Sequence, residues 1–91
     1  MRLSRDIAAE EQARAGQLYG FALYIDDPSD AELRPQPKLR FKPTRTGRCP
    51  RAALSDARAL AQQWGECWVC ELRYDDRGRH IVTTTIKKAT R

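Results

Sequence analysis

No apolar run in the chain approaches the roughly 18 residues that a membrane-spanning helix requires, so no membrane association is expected. The first residues, MRLSRDIAAEEQ, carry acids where a signal or transit peptide needs apolar or acid-free sequence. The expected compartment is therefore the cytoplasm. Histidine occurs once, at His80, and cysteine three times, an odd count that argues against a disulfide framework. Glycines are scattered rather than gathered into a phosphate-binding loop, and no serine sits in a G-x-S-x-G elbow. Carboxylate pairs such as Glu10/Glu11, Asp26/Asp27 and Asp75/Asp76 fall at surface or turn positions. With no catalytic motif and no cofactor motif, the sequence reads as a binding protein rather than an enzyme.

Acidic residues are missing from one long segment, and that absence carries the strongest signal. Residues 34–51, RPQPKLRFKPTRTGRCPR, hold Arg34, Lys38, Arg40, Lys42, Arg45, Arg48 and Arg51 with no acid, a net charge of +7 within a total of +5. Residues 1–33 balance it with a net −4, and residues 52–91 add +2. An acid-free segment of this density is expected to meet phosphates or an acidic protein surface.

Ninety-one residues make a single domain, 1–91, too short for two independent cores. Ser4 and Gly16 bracket a peripheral helix within 1–16, with Ser4 as its N-terminal cap. QLYGFALYID alternates, placing Tyr19, Phe21, Leu23 and Ile25 on one face of a strand. Gly20 inside it marks a bulge or a close backbone approach. A breaker-rich loop spans 26–38. KLRFK alternates again, with Leu39 and Phe41 inward and Lys38, Arg40 and Lys42 outward, and Pro35, Pro37 and Pro43 around it favour a sheet edge.

PRAALSDARALAQQW, 50–64, is the clearest helix. Pro50 suits its first position, Gly65 its C-terminal cap, and Leu54, Ala57, Ala61 and Trp64 its apolar stripe with Ala53 and Leu60. ECWVCELRY and RHIVTTTIKK then flank a hairpin turn at 75–78, where Asp75 opens a type I turn and Gly78 takes the left-handed position. The order α-β-β-α-β-β predicts an α+β domain, an antiparallel sheet of about four strands with the 50–64 helix on one face. Pairing Asp75 with Arg79 puts Tyr74, Leu72, Cys70 and Trp68 on the more apolar face, the one expected to pack on the helix.

The C-x-x-C at Cys67 and Cys70 lies inside strand-like sequence, so its thiols stand roughly 10 Å apart on opposite faces, beyond the ~7 Å reach of a disulfide. A redox couple is not expected, and the formal zinc set Cys49, Cys67, Cys70 and His80 lacks two closely spaced pairs. Cys70 reads as a buried apolar residue and Cys67 as half-exposed. Cys49 precedes the helix, whose dipole would favour a thiolate.

The predicted partner is nucleic acid or a nucleoprotein complex, met by the 34–51 cations. Neighbouring Lys38, Arg40 and Lys42 lie about 6.6 Å apart along a strand, near two phosphate spacings. Tyr24 on the less apolar strand face is a secondary stacking candidate, and Asp26, Asp27 and Asp30 are acidic secondary contacts. A helix-turn-helix pair, zinc-finger spacing and the RNA-recognition aromatic pattern are all missing. The alternative is a protein-surface binder that inhibits or regulates a larger nucleic-acid-processing machine, of the accessory or anti-defence type that phages and mobile elements carry. In that reading the acidic loop steers the chain onto a basic groove. The exposed edge at 38–42 would also admit a homodimer.

Overall fold

In the computed structural model, residues 14–29, 36 and 38–91 are described. Four strands and one helix follow in order: β1 Leu18–Tyr24, β2 Leu39–Phe41, α1 Arg51–Trp64, β3 Glu66–Tyr74 and β4 His80–Thr90. The strands form one antiparallel sheet, ordered β2-β1-β3-β4. The domain is thus α+β, as the patterning predicts, with β2 at the edge that its flanking prolines favour. The peripheral helix predicted within 1–16 falls almost wholly outside the described residues, as does part of the 26–38 loop. At the end of that predicted helix Gly16 adopts φ 83°, and its N–H donates to the Tyr74 carbonyl.

The helix covers one face of the sheet through alanines. Ala53, Ala57 and Ala61, spaced by one turn, are all buried, and their small side chains let the helix axis come close to the sheet. Beneath lie Leu23, Cys67, Val69 and Ala89, with Phe41, Cys49, Leu54 and Leu60 packed around them. Full burial of Leu23 or Val69 contributes about 1.5–3 kcal/mol each. Pro50 is the cap residue rather than the first helical residue, one position from the expectation. Gly65, at φ 94°, closes the other end by donating to the Ala61 carbonyl at 2.7 Å.

The expected packing face is corrected. Cys67 and Val69, not Trp68 and Cys70, lie under α1, and Cys67 is fully buried rather than half-exposed. The reason is the pairing of Leu23 with Val69: directly opposed residues share a face, so the apolar side of β1 draws the odd-numbered side of β3 beneath the helix. Ala22, Tyr24, Cys70 and Leu72 make a second buried cluster on the other face, with Tyr19, Trp68 and Val82 against it. A register shift between Leu18 and Gly20 moves Tyr19 to this second face, away from Phe21. Trp64, expected in the apolar stripe, is 56% exposed at the end of α1.

The hairpin turn forms as read. Asp75 N–H donates to the Arg79 carbonyl at 2.8 Å, and the Asp75 carboxylate accepts from the N–H groups of Arg77 and Arg79 at 2.9 and 2.8 Å. Pairs Tyr74↔His80, Arg73↔Ile81 and Leu72↔Val82 keep the expected register. Beyond them two shifts leave Thr83 and Ile86 outside the ladder pairing, so Cys70 meets Thr85 and Val69 meets Lys87, and the Thr83 hydroxyl donates to the Glu71 carbonyl at 3.5 Å.

Candidate functional site

The cations of the basic segment are presented by β2, a turn and the start of α1. β2 pairs Phe21 with Phe41, Ala22 with Arg40 and Leu23 with Leu39. Phe41 thereby packs against the core beneath α1, while Arg40 projects from the opposite face, in the row of Ala22 and Cys70. Leu39, expected inward, is 40% exposed. Only Leu39–Phe41 is paired as strand, because Pro43 stops the ladder two residues beyond Phe41.

The stretch TRTGR folds into a closed turn. Thr44 N–H donates to the Arg48 carbonyl and Gly47 N–H to the Thr44 carbonyl, both at 2.9 Å, and Arg48 N–H donates to Thr44 Oγ1 at 3.1 Å. Gly47 supplies the positive φ of 77° that the return requires. With its backbone bonded inward, the turn shows Arg45 and Arg48 to solvent. α1 follows with no side-chain cap and no acid in its first turn, so the positive end of its dipole adds to Arg51 rather than being neutralised.

Lys38, Arg40, Lys42, Arg45, Arg48 and Arg51 are all exposed. Among the described residues none of the six is in an ion pair. The pairs formed lie elsewhere: Arg73 with Glu71 at 3.1 Å, Arg79 with Asp75 at 3.2 Å and Lys88 with Glu66 at 3.0 Å. The cations do not share one plane, since Arg40 leaves the sheet on the face away from α1 while Arg51 belongs to α1. They wrap the β2 edge. Arg34 and Asp30 lie outside the described residues.

The secondary candidates fare differently. Tyr24 is only 5% exposed, so its ring offers no face for a base, which corrects the stacking expectation. Burial raises its pKa, the nearby Cys70 adds to the rise, and Arg40 opposes it. Asp26 and Asp27 are exposed. The Asp27 carboxylate accepts from Ser29 N–H at 2.9 Å and from the Ser29 hydroxyl at 2.7 Å, and these bonds hold its pKa down. Asp27 thus serves its own turn.

The cysteines show no activation. Burial pushes all three thiols up, against a weaker lowering from Lys87 at Cys49 and from Thr85 at Cys70. For Cys49 the direction is opposite to the thiolate that a helix start favours, with burial the largest cause. Among the described residues no three of His, Cys, Asp and Glu come together to hold a metal ion, and no helix is long and apolar enough to cross a membrane.

Two features escaped the sequence reading. Tyr19 and His80 stack with ring centroids 3.5 Å apart, and Tyr74 meets both edge-on. Tyr74 and His80 were legible as neighbours, but Tyr19 joins them only through the bulge. The other is the solvent side of α1, where Arg51, Ser55, Arg58 and Gln62 are all exposed at helical spacing. Comparison of the chain with protein-family models, curated proteins and solved structures finds no match.

Proposed function

We propose that the chain is a small non-catalytic binding protein that contacts the phosphate backbone of nucleic acid, free or in a nucleoprotein complex, through its 34–51 surface. The observation that carries this reading is the set of six exposed cations from Lys38 to Arg51 with no ion pair among the described residues. Cations held only to protect a sheet edge would be needed along β2. Arg45, Arg48 and Arg51 lie beyond it, on a braced turn and a helix start. A salt series on single- and double-stranded oligonucleotides is the test. Four to six phosphate contacts give a slope of log affinity against log salt of about −3 to −5. The triple variant Lys38→Ala, Arg40→Ala, Lys42→Ala is expected to flatten that slope by about 2 to 3. No binding at 50 mM salt refutes the proposal.

The second reading, docking on a protein surface as an inhibitor or regulator, drew on the acids beside the patch. Asp27 has a local partner in Ser29, which leaves Asp26 as the described acid free to serve it. Phosphate binding therefore stands first.

A further inference from the structure

We propose that the outward face of α1 enters the major groove of duplex DNA, with Arg58 and Gln62 reading base edges while Arg45, Arg48 and Arg51 hold phosphates. The inference rests on the phosphate-binding reading and adds the kind of nucleic acid and the element that reads it.

The geometry starts from the alanines. Because Ala53, Ala57 and Ala61 point into the sheet, the 3.6-residue period places Ser55 and Ala59 nearest the outermost line of the helix, with Arg51, Arg58 and Gln62 along one flank. All five are exposed. An outermost line of serine and alanine lets the helix backbone come close to whatever it meets, and the longer arginine and glutamine arms reach past it on one side. From Arg51 to Gln62 the rise of 1.5 Å per residue gives about 16 Å, close to five base-pair steps of 3.4 Å. A helix about 10–12 Å across suits a groove about 12 Å wide and 8.5 Å deep. The major groove of double-stranded RNA is too narrow to admit it.

Charge favours the same occupant. From Lys38 to Ser55 the sequence has no acid, and Asp56, the first one met, is half-buried. Neither Arg58 nor Gln62 has a side-chain bond to another described residue, so both are uncommitted. Their chemistry matches base edges: arginine pairs bidentately with guanine O6 and N7, glutamine with adenine N6 and N7. The turn carrying Arg45 and Arg48 leads directly into the helix, as phosphate contacts that set register on a duplex must.

The experiment is selection from 20-base-pair DNA duplexes with a randomised centre, at 50–100 mM salt, with an RNA duplex of the selected sequence as a second arm. Enrichment is expected over the two to three base pairs that Arg58 and Gln62 span, about 6 Å apart along the helix, with affinity for the RNA duplex falling to that for unselected DNA. Arg58→Ala and Gln62→Ala are each expected to erase the preference at one position, a loss of about 5- to 150-fold on the selected sequence, with the salt slope unchanged. Arg45→Ala and Arg48→Ala instead weaken all sequences alike and reduce the slope by about 1 each. Salt-dependent binding without enrichment, or Arg58→Ala and Gln62→Ala variants that select the same motif as the parent chain, overturns the groove reading and leaves the phosphate surface standing. No binding to the pool at any salt overturns both.

Discussion

Replacing Gly20 with alanine tests how the β2 edge is held. A Cβ at Gly20 overlaps the Phe41 carbonyl oxygen and comes to 3.4 Å from the carbonyl carbon and 3.7 Å from Lys42 Cα. All three atoms are backbone, so no side chain can rotate away, and either β1 or β2 must move. Overpacking of this kind costs about 1–3 kcal/mol. Displacing β2 would also expose the half-buried Phe41, losing about half of the roughly 1.5–3 kcal/mol that full burial is worth. The expected loss is therefore about 2–4 kcal/mol, or roughly 10–30 °C in the melting temperature of a domain this size. Gly47→Ala is the control: no atom lies within 4 Å of its Cβ and only its positive φ of 77° resists, a cost of about 1–2 kcal/mol. Urea unfolding gives both losses, and amide exchange at 38–42 reports whether β2 has come away. A Gly20→Ala loss below 0.5 kcal/mol, or one no larger than that of Gly47→Ala, refutes the close-approach argument.

The remaining predictions concern titration and reactivity. The Asp75 carboxylate is held below its usual 3.8, first by the Arg79 N–H and then by Arg77 N–H and the Arg79 guanidinium. A depressed folded pKa gives stability that is present above the unfolded value of about 3.9 and is lost as pH falls through the folded value. Asp75→Asn is thus expected to flatten the acid limb of the stability–pH profile below pH 4, with faster exchange of the Arg77 and Arg79 amides; an unchanged limb refutes it. All three thiols are raised by burial, so alkylation at pH 7–8 should run slower than for free cysteine, slowest at Cys67 and Cys70. A thiol that reacts faster than free cysteine refutes this.

How far the sequence can be read is visible in which residues it placed. The helix, the hairpin turn and the first three rungs of β3 and β4 follow from Pro50, Gly65, Asp75 and Gly78, each a local requirement of backbone geometry. The prolines around KLRFK likewise announce an edge. The choice of face failed because alternation divides the residues of β3 between two faces without saying which one the helix covers, and the pairing of Leu23 with Val69 decides that; elsewhere an unpaired residue inverts the alternation after it. The shift beside Gly20 re-aims Tyr19, and those at Thr83 and Ile86 re-aim the end of β4. Thr83 and Ile86 differ in no obvious way from their neighbours, so alternation alone cannot place them. The cations of the site were legible because charge needs no register to be counted. That they wrap an edge, rather than line one strand face, depends on the β1–β2 pairing, which no local motif encodes.

The two unpaired residues of β4 also give the strand slack. Each bulge is a residue that the ladder does not use, so removing Thr83, Ile86 or both leaves Thr84, Thr85, Lys87, Lys88 and Ala89 opposite their present partners. β3 has no such reserve, since each residue from Glu66 to Tyr74 is paired with β4, and a deletion there would turn Cys67 or Val69 away from the helix. Among descendants of this chain, length change in the sheet is therefore expected to accumulate in its outermost strand.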